Sequence, residues 1–219
     1  MKFLQRPAPP AALGQYNHST HEWSRTSPNS TARDQIWASF QGMQNGFCCY
    51  CESIAEKGNG HIEHFLHKGR KPDGSRPYKH LMFNWDNLVG SCGFHSGNSC
   101  GHYKDRQGSS GPGPYEPQDL IKPDRDNPSN FFKFLSTGKI TIKSGLSQRN
   151  AERAKETIRV LNLSSMKAAR KRQIDIFKRE INTAIELVDN DQQLAQELQR
   201  IRQKIRNHEF QTAVLDTVL

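Results

Sequence analysis

The chain has 219 residues, a formal net charge of +9 at pH 7 and a hydrophobic content of only 34%. This length fits one full domain with an appendage or two small domains, and the small apolar fraction predicts a modest core that gains from a bound metal. The basic surface favours a polyanionic partner such as nucleic acid. No apolar stretch approaches the roughly 18 residues of a membrane span and the N-terminus lacks a signal-peptide pattern, so we expect a cytoplasmic protein with no membrane partner.

The first elements in chain order are an arm and a helix. Residues 1–30 are polar and rich in Pro, Ser and Asn, which predicts an extended N-terminal arm. The segment TARDQIWASFQGMQNG, from Thr31, predicts a helix that ends at Asn45-Gly46. Its apolar positions at helical spacing are Ile36, Phe40 and Met43.

The second half of the chain begins with a loop and ends in helices. Residues 105–129 are rich in Pro and Gly and predict a loop. The sequence FFKFLSTGKITIK predicts a hairpin of two short strands that turns at about residues 136–138. From about residue 147 the apolar residues recur at helical spacing. We therefore divide the chain into the arm, a central domain over 31–146 that includes the hairpin, and a helical region over 147–219.

All five cysteines lie between Cys48 and Cys100. Thiols stay reduced in the cytoplasm, and an odd number of clustered cysteines is atypical of a disulfide framework. Cys48 and Cys51 form a C-x-x-C pair, while Cys92 and Cys100 form a second pair with a wider spacer. Two thiolate pairs separated by a loop can close a tetrahedral zinc site, so these four are predicted zinc ligands and Cys49 is spare. The alternative is that they are small buried hydrophobic residues.

Several residues that carry chemistry lie between and just after the cysteine pairs. Glu63 and His64 are adjacent in HIEHF, Asn87 lies in WDNL, and His102 and Lys104 follow the last cysteine. A carboxylate beside a histidine, a later Asn and a further ligand on a following helix predict a one-metal nuclease site, in which phosphate and water complete the metal shell. The plainer interpretations are a solvated Glu63-His64 loop pair and an Asn87 that caps a helix or turn.

The order of these motifs resembles the HNH endonucleases. The strings that carry the resemblance are C-x-x-C-E, HIEHF-x-x-K, W-x-N-L-x-x-S-C and C-G-x-x-K. More narrowly, the chain is similar to the HNH subunit of Septu-type and retron-associated anti-phage systems, which accompanies an ABC-type ATPase. RDQIWASFQGMQNGFCCYCE resembles the family's helix leading into the first cysteine pair, NPSNFFKFLSTGKI its hairpin, and AERAKETIRVLNL the helix that follows. The resemblance covers nearly the whole chain.

The resemblance implies a role for each of these residues. His64 would be the general base that activates water, and Glu63 would ligate the catalytic metal. Asn87 would fix the orientation and tautomer of the base. His102 would be the second metal ligand, and Lys104 would contact a phosphate of the substrate.

One departure from the family pattern leaves the second metal ligand open. The usual HNH ending has Asn directly after the last cysteine, where this chain has Gly101. His95 and Asn98 therefore compete with His102 for the metal. His61 and His67 are expected to be structural or to face phosphate. The basic segment RKPDGSRPYKH is either a loop that grips phosphate or an ordinary exposed turn.

The fold that the resemblance implies is α+β, with a zinc-stapled ββα-metal (HNH) core and a mainly helical C-terminal region. We expect a strand that ends at Glu63-His64, a second strand near residues 80–85, and a helix that bears His102.

The implied function is metal-dependent hydrolysis of phosphodiester bonds in DNA, or in tRNA in a retron setting. It would use structural Zn²⁺ and a catalytic Mg²⁺ or other divalent cation. The implied partners are an ABC-type ATPase and a retron reverse transcriptase with its RNA–DNA product, and the chain itself has no Walker motif. The alternatives are a non-catalytic zinc module that binds nucleic acid or protein, and a catalytically weak scaffold.

Overall fold

The computed structural model describes residues 1–71, 73–93 and 97–218. Helices and two antiparallel two-stranded sheets make up the fold, which confirms the α+β class. In the part of the chain that the structure describes, no helix has both the length and the apolar character needed to cross a membrane.

Helix α1 spans Ser30–Gln44 and confirms the first predicted helix. The side chain of Asn29 caps its first turn by accepting a hydrogen bond from the backbone N–H of Ala32 at 2.9 Å. The helix ends at Asn45, which has the left-handed backbone (φ 55°) that Asn tolerates. Its three apolar positions are buried in the core, as their spacing predicts: Ile36, Phe40 and Met43.

The first sheet pairs β1 (Gly60–His64) with β2 (Leu88–Cys92), and His64 lies opposite Leu88. The short helix α2 (Cys100–Lys104) follows β2. Strand β1 ends at the Glu63-His64 pair, as expected. Strand β2, α2 and the loop after α1 all contribute cysteines, which brings these segments together.

The prediction of a second strand near residues 80–85 is wrong. Two 3-10 turns, Lys79–Leu81 and Trp85–Asn87, occupy this region and the strand begins at Leu88. The side chain of Asn84 accepts a hydrogen bond from the backbone N–H of Asp86 at 2.8 Å, which stabilises a turn rather than an extended chain. The strand itself, LVGSC, is buried along its whole length, so it lacks the polar and apolar alternation of a half-exposed strand.

The second sheet is the predicted hairpin, β3 (Phe132–Phe134) and β4 (Ile140–Ile142). Four helices complete the chain: α3 (Gln148–Val160), α4 (Lys167–Leu187), α5 (Asp191–Arg206) and α6 (Gln211–Val218). The apolar faces of α4, α5 and α6 pack together, whereas α3 packs against β4 and α2. The buried residues of α4, α5 and α6 include Ile174, Phe177, Ile201, Ile205 and Val214. The side chains of Ile185 and Leu187, at the end of α4, remain exposed.

Both ends of the described chain lie against the cysteine-bearing segment. Met1 is buried, and its amino group lies 2.9 Å from the carboxylate of Glu52. The same carboxylate accepts hydrogen bonds from the backbone and hydroxyl of Thr212 at the start of α6. Arg6 donates to the backbone carbonyls of Trp85 and Leu88 at 2.7 and 2.9 Å. The first residues of the chain and its last helix therefore pack against the segments that precede β1 and β2 and stabilise them.

Gly138 and Gly145 give a matched test of the hairpin turn. Both have positive φ, +76° and +78°. A Cβ at Gly138 would overlap the carbonyl oxygen of Lys167 and lie 2.7 Å from the backbone nitrogen of Lys171, whereas one at Gly145 meets open space. We expect Gly138→Ala to lower the free energy of unfolding by about 1–3 kcal/mol more than Gly145→Ala. Denaturant unfolding measures the difference, and equal values would contradict the close packing of this turn on α4.

Candidate metal centre

Four buried cysteines, Cys48, Cys51, Cys92 and Cys100, converge so that their Sγ atoms all lie within 4.8 Å of one another. They come from the loop after α1, the end of β2 and the start of α2. Among the described His, Cys, Asp and Glu residues, no other group of three or more gathers its ligand atoms so closely. The two pairs predicted from spacing are thus brought together, and Cys49 lies outside the group.

The geometry and chemistry of this cluster suit zinc. Four sulfur atoms placed tetrahedrally about 2.3 Å from Zn²⁺ are about 3.8 Å apart, and the Sγ atoms of Cys51 and Cys92 are 3.7 Å apart. Burial opposes ionisation of Cys48, but hydrogen bonds with the surrounding cysteines outweigh it and hold the pKa of this thiol well below its ordinary value. Burial and the neighbouring cysteines raise the pKa of Cys100 in the same cluster. Four buried thiol sulfurs at this spacing can hold a zinc ion.

Two serines support the cysteine cluster from outside. The hydroxyl of Ser53 lies 3.0 Å from Sγ of Cys51, and its backbone N–H donates to the same sulfur at 3.5 Å. Ser91, in β2, has its hydroxyl 3.8 Å from Sγ of Cys48 and accepts a hydrogen bond from the backbone N–H of Gly101 at 3.2 Å. Such outer contacts orient sulfur ligands and fix the distance between β2 and α2.

Glu63 and His64 sit at the end of β1 and are both 2% exposed. Because successive side chains of a strand point to opposite faces, the two groups meet different neighbours. Glu63 meets Lys104 of α2, and His64 meets the loop around Met82. The pair is therefore no solvated loop pair, and each side chain has an environment of its own.

The Glu63 carboxylate lies between two nitrogen donors. Nζ of Lys104 is 2.9 Å from Oε1, and Nε2 of His61 is 3.2 Å from Oε2. Burial raises the pKa of Glu63, but the Lys104 ammonium and the His61 hydrogen bond outweigh it and lower the pKa to about 2. Glu63 is accordingly ionised at neutral pH.

Lys104 is buried, and its ammonium points inward. Besides Glu63, it contacts the carbonyl oxygen of His64 at 3.1 Å and the carboxylate of Asp105. Burial raises the pKa of Asp105 to about 7 despite the neighbouring ammonium. In the structure, Lys104 therefore pairs with Glu63 and contacts the end of β1. The sequence predicts instead that Lys104 contacts a phosphate of the substrate.

The tautomer of His64 follows from its one hydrogen bond to the backbone. Nε2 lies 3.0 Å from the carbonyl oxygen of Met82, and because a carbonyl only accepts, Nε2 carries the proton and Nδ1 keeps a lone pair. Burial and the nearby Lys68 lower the pKa of His64 to about 3. The edge of the Trp23 indole contacts this imidazole, with ring centroids 4.5 Å apart. A neutral imidazole with a free lone pair can accept a proton.

Asn87 does not hydrogen-bond to His64 in the described structure. Its amide oxygen accepts from the backbone N–H of Leu66 at 2.7 Å, and its amide nitrogen donates to the carbonyls of Leu66 and Leu81 at 3.0 and 3.2 Å. Leu81 precedes Met82, so Asn87 ties together the two loops that flank His64. The Met82 carbonyl, rather than Asn87, hydrogen-bonds to His64, and an orienting role for Asn87 stays a prediction.

Gly101 leaves room that His61 fills. A Cβ at residue 101 would overlap the Glu63 carboxylate and lie 2.8 Å from Nε2 of His61. The ring of His61 also lies 4.0 Å from the ring of His102, centroid to centroid. The sequence predicts a structural or phosphate-facing role for His61 and not its contact with Glu63. The signal was available, because residues i and i+2 of a strand share a face.

The other histidine and asparagine candidates differ in how close they lie to Glu63. His102 is exposed on α2. The amide oxygen of Asn98 accepts a hydrogen bond from Arg106 at 3.1 Å. His67 lies 3.5 Å from the carboxylate of Asp105. His95 is outside the residues that the structure describes.

A cavity of about 530 Å³ opens beside Lys104 and Asp105. Its walls come from residues in the segments 67–71, 77–78, 104–108 and 113–117. Its lining is basic and aromatic and includes Arg70, Lys71, Tyr78, Arg106 and Tyr115. Cationic side chains interleaved with aromatic rings are typical of surfaces that bind single-stranded nucleic acid.

Removal of one ligand should distinguish the cysteine cluster from ordinary packing. We expect the purified protein to contain one zinc per chain, and Cys92→Ser to lose it and to melt about 10 °C lower or more. Cys49→Ser is the matched control, since Cys49 is equally buried but outside the cluster. Metal analysis and thermal melts measure both quantities. A metal-free wild type, or equal losses in the two variants, would contradict a zinc site.

No known protein-family model matches the chain. It is 27% identical over 139 residues to the Septu protein PtuB of Bacillus thuringiensis. The aligned region covers 62% of this chain and 47% of the relative, so the chain spans about half the length of the curated protein that it matches. The chain is therefore distantly similar to a component of the Septu system.

Proposed function

We propose that this chain is a metal-dependent HNH endonuclease, with a ββα-metal core, that acts in a Septu-type anti-phage system. The observation that carries the proposal is the geometry at the end of β1, where the buried His64 hydrogen-bonds through Nε2 to the Met82 carbonyl and the adjacent Glu63 carboxylate lies between Lys104 and His61. The four-cysteine cluster that joins β2 to α2 and the similarity to the Septu protein PtuB support it.

His64 is the proposed general base. Its proton on Nε2 is held by the Met82 carbonyl, so Nδ1 takes a proton from water as the water oxygen bonds to phosphorus. The P–O bond to the leaving ester oxygen breaks in the same displacement, and its electron pair stays on that oxygen, which takes up a proton from solvent. Asn87 acts as a positioning residue, since it fixes the loops on both sides of His64 without touching it.

Glu63, His61 and His102 are the proposed ligands of the catalytic ion. Oε2 of Glu63 and Nε2 of His61 are 3.2 Å apart, and an ion would replace the proton between them, which leaves His61 protonated on Nδ1 instead. Two ligands at right angles, each about 2.1 Å from an ion, are separated by about 3.0 Å. An ion bound here supplies Lewis-acid stabilisation of the charge that develops on phosphate. A carboxylate with imidazoles suits Mn²⁺ or Ni²⁺ better than Mg²⁺, which prefers oxygen ligands.

Lys104 keeps the carboxylate ionised and aimed at α2. We assign the role of a positioning residue to it, since contact with a substrate phosphate requires its ammonium to leave a buried ion pair. That exchange is costly, because it leaves Glu63 buried and unpaired.

Nucleic acid is the proposed substrate, as DNA or, in a retron setting, tRNA. The charge of +9 and the basic, aromatic cavity beside Lys104 support this choice. The central domain over 31–146 carries the site, and the helical region over 147–219 docks an ABC-type ATPase, with the exposed Ile185 and Leu187 as candidate contacts. A reverse transcriptase with its RNA–DNA product is the proposed regulator, and the cytoplasm the proposed location.

A non-catalytic zinc module is the second candidate, and one observation favours it. The Glu63 carboxylate already has a cationic partner in Lys104, so its charge is balanced without a catalytic ion. Such a module needs the four cysteines but not a proton-accepting His64. The two candidates therefore differ in what they require of His64.

Substitution of the proposed base is the primary test. We expect His64→Ala to lower the cleavage rate by about 10²–10⁴-fold on plasmid DNA or total tRNA with Mn²⁺, because no group remains to accept the water proton. Zinc content and oligonucleotide binding should persist. His208→Ala is the control, since His208 packs on Phe177 among the C-terminal helices. Equal cleavage by wild type and His64→Ala would contradict this role. Absence of cleavage by both proteins would favour the non-catalytic zinc module.

Metal binding can be tested without catalysis. We expect His61→Ala and His102→Ala each to weaken Mn²⁺ binding by about tenfold or more, while one zinc per chain remains. Both substitutions leave the Glu63–Lys104 pair intact, which Glu63→Gln would not. Calorimetric titration or the spin resonance of Mn²⁺ provides the readout, with His208→Ala as control. Unchanged Mn²⁺ affinity in both variants would remove these histidines from the site.

A further inference from the structure

The arm over residues 1–30 brings an acidic residue and an aromatic residue to the proposed active site. The carboxylate of Glu22 lies 3.1 and 2.9 Å from the two terminal nitrogens of Arg76 and 2.6 Å from Nζ of Lys79. The next residue, Trp23, is the one whose indole contacts the ring of His64. One dipeptide therefore reaches both a cationic pair and the proposed general base.

The cationic pair has the chemistry of a phosphate site. Arg76 presents two parallel N–H donors to Glu22, and this planar fork matches a phosphate as well as it matches a carboxylate. Lys79 adds a compact charge on the same side. Both belong to the basic segment RKPDGSRPYKH, for which the sequence left open a phosphate-gripping loop or an exposed turn.

The pair also lies close to the proposed chemistry. Nε of Arg76 donates to the carbonyl oxygen of Lys68 at 3.2 Å, which ties the two residues together. The Lys68 ammonium lies 6.0 Å from the centroid of the Trp23 indole and, through its charge, acts on His64. A strand whose scissile phosphate reaches His64 would thus carry a neighbouring phosphate to Arg76 and Lys79.

We infer that Arg76 and Lys79 form a binding site for a backbone phosphate of the nucleic acid, and that the Glu22 carboxylate occupies this site in the structure. The inference rests on the proposed nuclease function and names the part of the surface that holds its substrate. Substrate entry displaces Glu22 and with it Trp23, which uncovers a histidine that is otherwise 2% exposed. At Glu22 the arm is held by a partly exposed ion pair with Arg76 and Lys79, a weak interaction that a strand with several phosphates can replace. Trp23 would then also leave its contacts with Phe83 and Arg33, while the first residues of the arm stay anchored through Met1 and Arg6.

The chain contains a matched control for this arrangement. Glu180 on α4 is held by Arg200 and Lys204 of α5, at 3.6 and 2.8 Å, so it too pairs with one Arg and one Lys at the surface. Glu197 forms a bidentate pair with Arg200, as Glu22 does with Arg76. Substitutions at Glu197, or at Arg200 with Lys204, therefore change the net charge equally and at a different place.

The experiment measures binding of fluorescent single-stranded and duplex oligonucleotides to the full chain in the His64→Ala background, by polarisation over a series of salt concentrations. We expect Glu22→Gln to tighten binding about two- to fivefold, because the competing carboxylate charge is gone. Arg76→Gln with Lys79→Gln should reduce the slope of log affinity against log salt by about 1.8 for duplex, since two phosphate contacts are lost. Thermal melts confirm that each variant is folded.

The controls decide the outcome. If Glu197→Gln tightens binding as much as Glu22→Gln, or if Arg200→Gln with Lys204→Gln changes the slope as much as the Arg76 and Lys79 pair, only net charge matters and the inference is overturned. Absence of binding in every variant also overturns it. A Glu22-specific effect in a chain that never cleaves would keep the phosphate site and refute the nuclease. Cleavage by wild type without a Glu22-specific effect would support the nuclease and refute the phosphate site.

Discussion

The convergence of four cysteines is the constraint on which the rest of the site depends. It joins the loop after α1, the end of β2 and the start of α2 in a chain with only 34% hydrophobic residues. Because α2 begins at Cys100, the cluster sets where Lys104 lies relative to β1. The ion pair between Lys104 and Glu63, and the close approach of Gly101 to Glu63, follow from that placement.

Around this frame, two adjacent residues acquire opposite electrostatic environments. Glu63 faces an ammonium and stays ionised, while His64 faces a carbonyl and an indole and stays neutral. The difference arises from strand alternation, which sends neighbours to opposite faces. An ionised carboxylate and a neutral imidazole can therefore stand side by side, which is the arrangement that the proposed hydrolysis at one metal ion uses.

Much of the scaffold could be predicted from the sequence, because it depends on local patterns. Helix α1, the hairpin of β3 and β4, and the pairing of the four cysteines follow from periodicity, turn residues and spacing. The position of β2 could not be predicted, because a fully buried strand lacks the alternation of polar and apolar residues. In addition, a hydrogen bond to the Asn84 side chain stabilises a turn just before the strand.

The contacts of the site were harder to predict than its members. The partner of His64 is the backbone carbonyl of Met82, and backbone atoms leave no trace in the residue pattern. The inward direction of Lys104 depends on where α2 lies in three dimensions. Likewise, nothing in the composition of the arm indicates that Glu22 reaches Arg76 and Lys79, or that Trp23 contacts His64.

The most direct test of the account is single-turnover cleavage of plasmid DNA and of total tRNA by the chain with its candidate ATPase, as a function of added Mn²⁺ at constant zinc content. The account predicts cleavage of one substrate that rises and saturates with Mn²⁺ while zinc stays at one per chain. Cleavage that proceeds equally without the added ion, or no cleavage at any Mn²⁺ concentration, would contradict a metal-dependent nuclease built on Glu63 and His64.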